Sequence, residues 1–206
     1  CLTTFSEYQI NVLMNINKLF LALRESSSEP HKQLEATYPF CYQMRSEAFS
    51  PLHYGRALSV LRAFHVYAAP FVARLPAEIR HLIIVDDVID ALNLDLQILG
   101  VQEEQPEFKS ALSSQSPTSL LAFSYVWMGS SMGGSIISRW LQSRHPGLPQ
   151  QYYRAMAETG ANWETFKACA TDWAGANNIN DDDAGDAARQ VFESIINTAS
   201  HYSEPA

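Results

Sequence analysis

Apolar residues recur at helical spacing along nearly the whole chain. Leu58, Leu61, Phe64 and His65 mark one stripe, which Ala68, Ala69 and Val72 extend. Pro51 suits the start of that helix and the Leu75-Pro76 step its end. A second helix is predicted over about 77–99, stopped by Gly100. Its Ile83-Ile84-Val85 run also fits a strand, but the apolar positions continue at Val88, Ile89, Leu92, Leu96 and Leu99, which favours helix. Residues 102–116 are polar, carry a proline and read as a loop. Ser116-Pro117 opens a long helical segment to Leu141, closed by His145-Pro146-Gly147. A further helix is predicted from Pro149 through Tyr152, Met156 and Trp163 toward Trp173. A polar loop at 177–183 and a last helix over about 184–202 complete the pattern.

No strand is convincing and no repeat appears, so the fold class is all-α. The length of 206 residues and a hydrophobic share of 47% fit one domain with a substantial core. Met14 begins a stretch that would make a natural start. Residues 1–13 therefore read as a native arm or an upstream segment, and 14–206 as the domain.

A net charge of −8 with no Lys/Arg run argues against a nucleic-acid partner. Cysteines at 1, 41 and 169 are odd in number and lack C-x-x-C spacing, which argues against a disulfide framework or a zinc site and suits a reducing compartment. The apolar segment at 10–23 is interrupted by Asn11, Asn15, Asn17 and Lys18. No stretch reads as a membrane span or a cleavable signal, so the expected location is the cytoplasm.

Four patches, in order along the chain, carry more specific information. The first is LRESSSEPHKQLE, from Leu23 to Glu35 with His31 inside it. The second is DLQILG, from Asp95 to Gly100. The third is YVWMGSSMGGSII, from Tyr125 to Ile137. The fourth contains Tyr152-Tyr153, Gly160, Trp163 and Phe166. Together they resemble the haem oxygenases, closest to the bacterial biliverdin-producing enzymes found alongside phytochromes. The resemblance implies a single-domain helical bundle with a proximal helix and a glycine-kinked distal helix.

The resemblance places the iron-ligating histidine at His31. A neutral imidazole is a common axial ligand of haem iron. Of the other histidines, His65 ranks next because it sits on an apolar face, and it reads better as a hydrogen-bonded core residue. Gly129 and Gly133 are four apart and share a helix face, which Gly134 widens. Either they let backbone approach the haem plane, or they serve close helix packing. The segment from Tyr125 to Ser138 holds no charged acid–base pair of the kind that splits an O–O bond. Ser130 and Ser131 could instead hold ordered water that delivers a proton. Mammalian-type enzymes carry an aspartate where this chain has Ser130. The resemblance makes Gly129, Ser130 and Gly133 the catalytic set.

Haem propionates need cations. Arg24 lies seven residues before His31, two turns away on the same face, and Lys167 is a second candidate. Tyr125 could hydrogen-bond a propionate or simply pack. Pro30 is in tension with this arrangement, since proline inside a helix removes an N–H and clashes one turn back. A helix starting at a Ser27 or Ser28 cap would take Arg24 off the face of His31.

The implied reaction opens haem with O2 and reducing equivalents to biliverdin, carbon monoxide and iron. Haem is both substrate and cofactor. The implied partners are an electron donor, a ferredoxin or flavin reductase, and a biliverdin acceptor such as a bacterial phytochrome. The alternatives are a non-catalytic haem carrier or sensor, a relative with the fold but no haem, and a structural interaction module. A thiaminase-like cysteine nucleophile ranks low, because Cys41 and Cys169 lie in no matching motif.

Overall fold

A computed structural model describes residues 3–42 and 49–202, with residues 3–17 described as backbone helix only. Among the described residues the chain forms helices joined by turns, with no strand. In order they are α1 (Thr3–Ala36), α2 (Pro51–Val72), α3 (Ala77–Arg80), α4 (Val85–Ile98), α5 (Pro117–Ser131), α6 (Gly134–Arg144), α7 (Gln151–Gly160), α8 (Trp163–Ala176) and α9 (Asp181–Ala199). A short 3-10 turn at Phe40–Tyr42 follows α1.

The helix starts predicted at prolines are present. Ser50 and Ser116 cap α2 and α5, their hydroxyls accepting the N–H groups of His53 and Ser119, and Pro51 and Pro117 follow them. Gly100 ends α4 in the left-handed conformation, φ 64°, as a C-terminal stop requires. The N–H of Val101 closes that turn on the carbonyl of Leu96 at 3.2 Å.

Three long predicted helices are each divided in two. The first breaks between α3 and α4, where Ile84 is extended at φ −79°, ψ 90°. The break turns Ile79, Leu82 and Ile83 inward together, and Asn162 Nδ2 donates to the freed carbonyl of Leu82 at 2.9 Å. The second falls at Met132-Gly133 and the third at Ala161-Asn162. The three aspartates predicted as loop instead form the first turn of α9, where their charge opposes the positive end of the helix dipole. Asn180 caps that turn through Oδ1.

Helix α5 is the axis of the core. Phe123, Trp127 and Met128 are fully buried, with Phe64 and His65 of α2 against one side and α7 and α9 against others. It is apolar round most of its length because neighbouring helices cover it from Ser119 to Met128. For the same reason the stretch Pro117–Arg144 is long and apolar enough to cross a membrane, which the sequence reading did not register; 56% of its most apolar window is buried inside the fold.

Helices α1 and α9 run side by side in the same direction. Lys18 pairs with Asp181 at 3.1 Å, Gly185 packs on the turn of Ala22 and Ser26, and His31 meets Phe192 with ring centroids 5.4 Å apart. Gly185 is required there, since a β-carbon would stand 3.0 Å from the carbonyl oxygen of Ala22. Residues 3–13 belong to α1 itself.

Candidate functional site

Helix α1 passes through Pro30 unbroken. Neither Ser27 nor Ser28 starts a helix, and the Ser27 hydroxyl donates back to the carbonyl of Leu23 at 2.7 Å. Arg24 and His31 therefore stay on one helix, two turns apart. Both are exposed. His31 keeps 54% of its side-chain surface, and its Nδ1 lies 3.7 Å from Glu35 Oε1, one turn on. Its Nε2 has no hydrogen-bond partner among the described residues.

Arg24 forms no ion pair among the described residues, whereas Lys18, Lys32 and Lys167 each face a carboxylate. Lys167 is mostly buried and bound to Glu164 at 2.8 Å on its own helix, so its charge is already partnered. The charge of Arg24 reaches Tyr125 instead. Burial raises the pKa of the Tyr125 phenol, against the lowering effects of its hydrogen bond with Ser27 and of the charge of Arg24. The Tyr125 hydroxyl is 3.4 Å from the Ser27 hydroxyl. Its ring joins Phe20 and Trp163 in an aromatic cluster with Phe166. Two residues of the fourth patch thus act by packing behind Tyr125.

The glycines divide by their surroundings. A β-carbon at Gly129 would meet nothing within 4 Å, and at Gly133 only ordinary contacts, the nearest Ile137 Cδ1 at 3.7 Å. At Gly134 it would stand 2.9 Å from both Tyr153 O and Ala157 N. Gly134 therefore packs against α7, the helix-packing role weighed for these glycines, and Gly129 and Gly133 do not. Gly133 has φ −80°, which any residue adopts, so conformational freedom is not what it supplies.

The two serines also separate. Ser131 is buried, with its hydroxyl on Met128 O at 2.6 Å and its backbone against Gly160. It is not available to hold water at a pocket. Ser130 is exposed; its hydroxyl donates to Trp127 O at 2.7 Å, which leaves the oxygen able to accept from water.

Three residues escaped the sequence reading. Met132 and Ile136 are large, apolar and about half exposed, at 51% and 52%. With Gly129 and Gly133 they stand at i, i+3, i+4 and i+7 across the α5–α6 break, the spacing that one face of an unbroken helix would have. That spacing was visible in the sequence. Phe192, against His31, is a third, and only the α1–α9 contact reveals it.

His65 is the core residue it was expected to be. It is fully buried with Nε2 3.0 Å from the Tyr152 hydroxyl, and burial lowers its pKa to about 3. Among the described residues no three His, Cys, Asp or Glu side chains gather as a metal cage. A half-open hollow of about 260 Å³ beside the Lys18–Asp181 pair lies toward the other end of α1, about 20 Å along the helix from His31.

No protein-family model matches the chain. A stretch of 82 residues is 34% identical to a haem oxygenase of Xanthomonas campestris pv. campestris (strain 8004). The stretch is 39% of this chain and 48% of that protein, so the chain spans about half the length of the relative it matches. The fold is similar to that of haem oxygenase-1 from the cyanobacterium Synechocystis sp. PCC6803, solved in complex with haem. The TM-score is 0.61 at 19% identity, covering 89% of this chain and 91% of that one. The all-α haem oxygenase fold read from the sequence is therefore the fold of this chain, and the resemblance to haem oxygenases is borne out at the level of sequence as well.

Proposed function

We propose that the chain is a haem oxygenase that binds haem through His31 and opens it to biliverdin, carbon monoxide and iron. One observation carries the reading. The Ser27–Tyr125 contact joins α1 to α5; one turn on from Ser27 in α1 stands the exposed His31, and one turn on from Tyr125 in α5 the open β-position of Gly129. A flat macrocycle needs a ligand nitrogen on one side and backbone without side-chain bulk on the other, and these helices supply both.

The remaining residues fit haem in kind. Met132, Ile136 and Phe192 offer apolar contact to a porphyrin edge or face. Arg24 offers a guanidinium without an ion pair among the described residues to a propionate, and Tyr125 beside it offers a hydroxyl. Haem iron supplies the oxygen chemistry once bound. The chain's part is to hold the macrocycle in one in-plane rotation, to keep side chains off one face at Gly129 and Gly133, and to anchor a proton-delivering water at Ser130. Glu35 Oε1 stands 3.7 Å from His31 Nδ1, and Nε2 is the nitrogen offered to iron. Electrons come from a donor of the ferredoxin or flavin reductase kind, and biliverdin passes to an acceptor such as a bacterial phytochrome. The cytoplasm suits both.

The test is addition of hemin followed by a reductant under air. The reading predicts a Soret band that then bleaches as a biliverdin absorption grows. A Soret band that persists through reduction identifies a carrier or sensor, and no Soret band at all removes haem from the account.

A further inference from the structure

We propose that Asp95 is a positioning residue for the open glycine face, acting through α7 as a splint across the α5–α6 break. Asp95 lies on α4 and is fully buried. Its carboxylate accepts the N–H of Gln151 at 3.1 Å and of Tyr152 at 3.0 Å. These are the first two residues of α7, and Gln150 before them makes no side-chain cap. The amides that every helix leaves unsatisfied at its start are thus held by a side chain from elsewhere in the fold. Tyr54 fixes the same end by donating its hydroxyl to Pro149 O at 2.9 Å.

From that anchored end α7 bears on the break at three levels. Gln150 Oε1 accepts from Ser138 of α6 at 3.0 Å. In the middle, the backbone of Tyr153 and Ala157 lies against Gly134, the first residue after the break. At the far end Gly160 lies against Ser131, the last residue before it, where a β-carbon would stand 3.2 Å from the Ser131 carbonyl oxygen. One helix therefore touches both sides of the Met132-Gly133 step and sets its angle. Gly129, Met132, Gly133 and Ile136 inherit their orientation from it. Burial raises the Asp95 pKa while the two amides and Arg154 act to lower it, so the carboxylate sits where only good amide geometry compensates its lost water.

What this face does rests on the haem reading; what holds it in place does not. The experiment is amide hydrogen exchange on the full chain, paired with hemin titration. Asp95→Asn keeps the shape but turns an NH2 toward one of the two amides. Residues 151–153 should lose protection, and residues 131–137 should exchange at least about tenfold faster, as loss of a charge-assisted bond predicts. Residues 54–72 of α2 should be unchanged. Hemin should bind about tenfold more weakly with the Soret maximum unmoved, because His31 is untouched. Parent-like exchange at 131–137, with only 151–153 affected, overturns the proposal. Gly160→Ala keeps it testable if Asp95→Asn does not fold. That variant disturbs the Ser131 contact without touching the cap, so 131–137 should exchange faster while 151–153 stay protected. Unchanged exchange at 131–137 in Gly160→Ala also overturns it. A parent chain that binds no hemin defeats the haem reading and leaves the exchange result standing.

Discussion

The hydroxyl of Tyr125 lies 3.4 Å from the hydroxyl of Ser27, and this contact ties the helix of His31 to the helix of Gly129. Its length makes it a weak bond, so Tyr125→Phe should cost at most about 1 kcal/mol in urea denaturation. The same variant should lower hemin affinity severalfold, because the phenol also stands beside Arg24. Equal hemin affinity in parent and variant would show that the hydroxyl serves packing alone.

Arg24 should act on haem by charge. Arg24→Glu should weaken hemin binding by about tenfold at low salt and less at high salt, since an exposed guanidinium–propionate pair is screened. It should also change the distribution of biliverdin isomers, because in-plane rotation decides which bridge carbon is attacked. An affinity that is unchanged and insensitive to salt would make Arg24 a plain surface charge.

The glycines should separate by the sign of their effect. Gly129→Ala meets open space and should stabilise the haem-free chain by up to about 1 kcal/mol, the helix-propensity difference. Gly134→Ala drives a methyl into the backbone of α7 and should destabilise by about 1–3 kcal/mol. Under the haem reading Gly129→Ala gains stability and loses turnover together. Thermal melts and single-turnover haem degradation on the same samples check this; a stabilised Gly129→Ala with parental turnover contradicts it.

His65 should report on pH and not on haem. Burial lowers its folded pKa from 6.5 to about 3. Below 6.5 the unfolded chain takes up a proton that the folded chain refuses. The contribution to stability is thus complete above pH 6.5 and is lost as pH falls toward 3, at about 1.4 kcal/mol per unit. Urea denaturation from pH 7 to 4 should show a shallower decline in His65→Gln than in the parent, and the hemin Soret band of the variant should be unchanged. Parallel declines would mean that His65 protonates without unfolding the chain.

Much of the fold was legible because the helices are amphipathic and carry local starts and stops. Ser50-Pro51, Ser116-Pro117 and Gly100 act where they stand in the sequence. The divided helices were not legible, because their breaks come from distant partners. Asn162 receives the carbonyl at Leu82, and α7 seats the step at Met132-Gly133. The aspartates of α9 read as loop by polarity, yet the dipole makes them a helix start. At the candidate site, one patch put His31 and Arg24 two turns apart on a helix, and α1 carries both. Gly134 and Ser131 were not separable from their neighbours, since only α7 shows which way they face. Pro30 argued locally for a break, and the long α1 contact with α9 carries the helix through it.

The most direct test of the central claim is a hemin titration of His31→Ala beside the parent, followed by absorption. His31 carries the exposed imidazole on which the haem reading depends. The account predicts that the parent gives a histidine-ligated Soret band, that His31→Ala loses it with most turnover, and that added imidazole restores both in part. An identical Soret band and identical haem degradation in His31→Ala would contradict it.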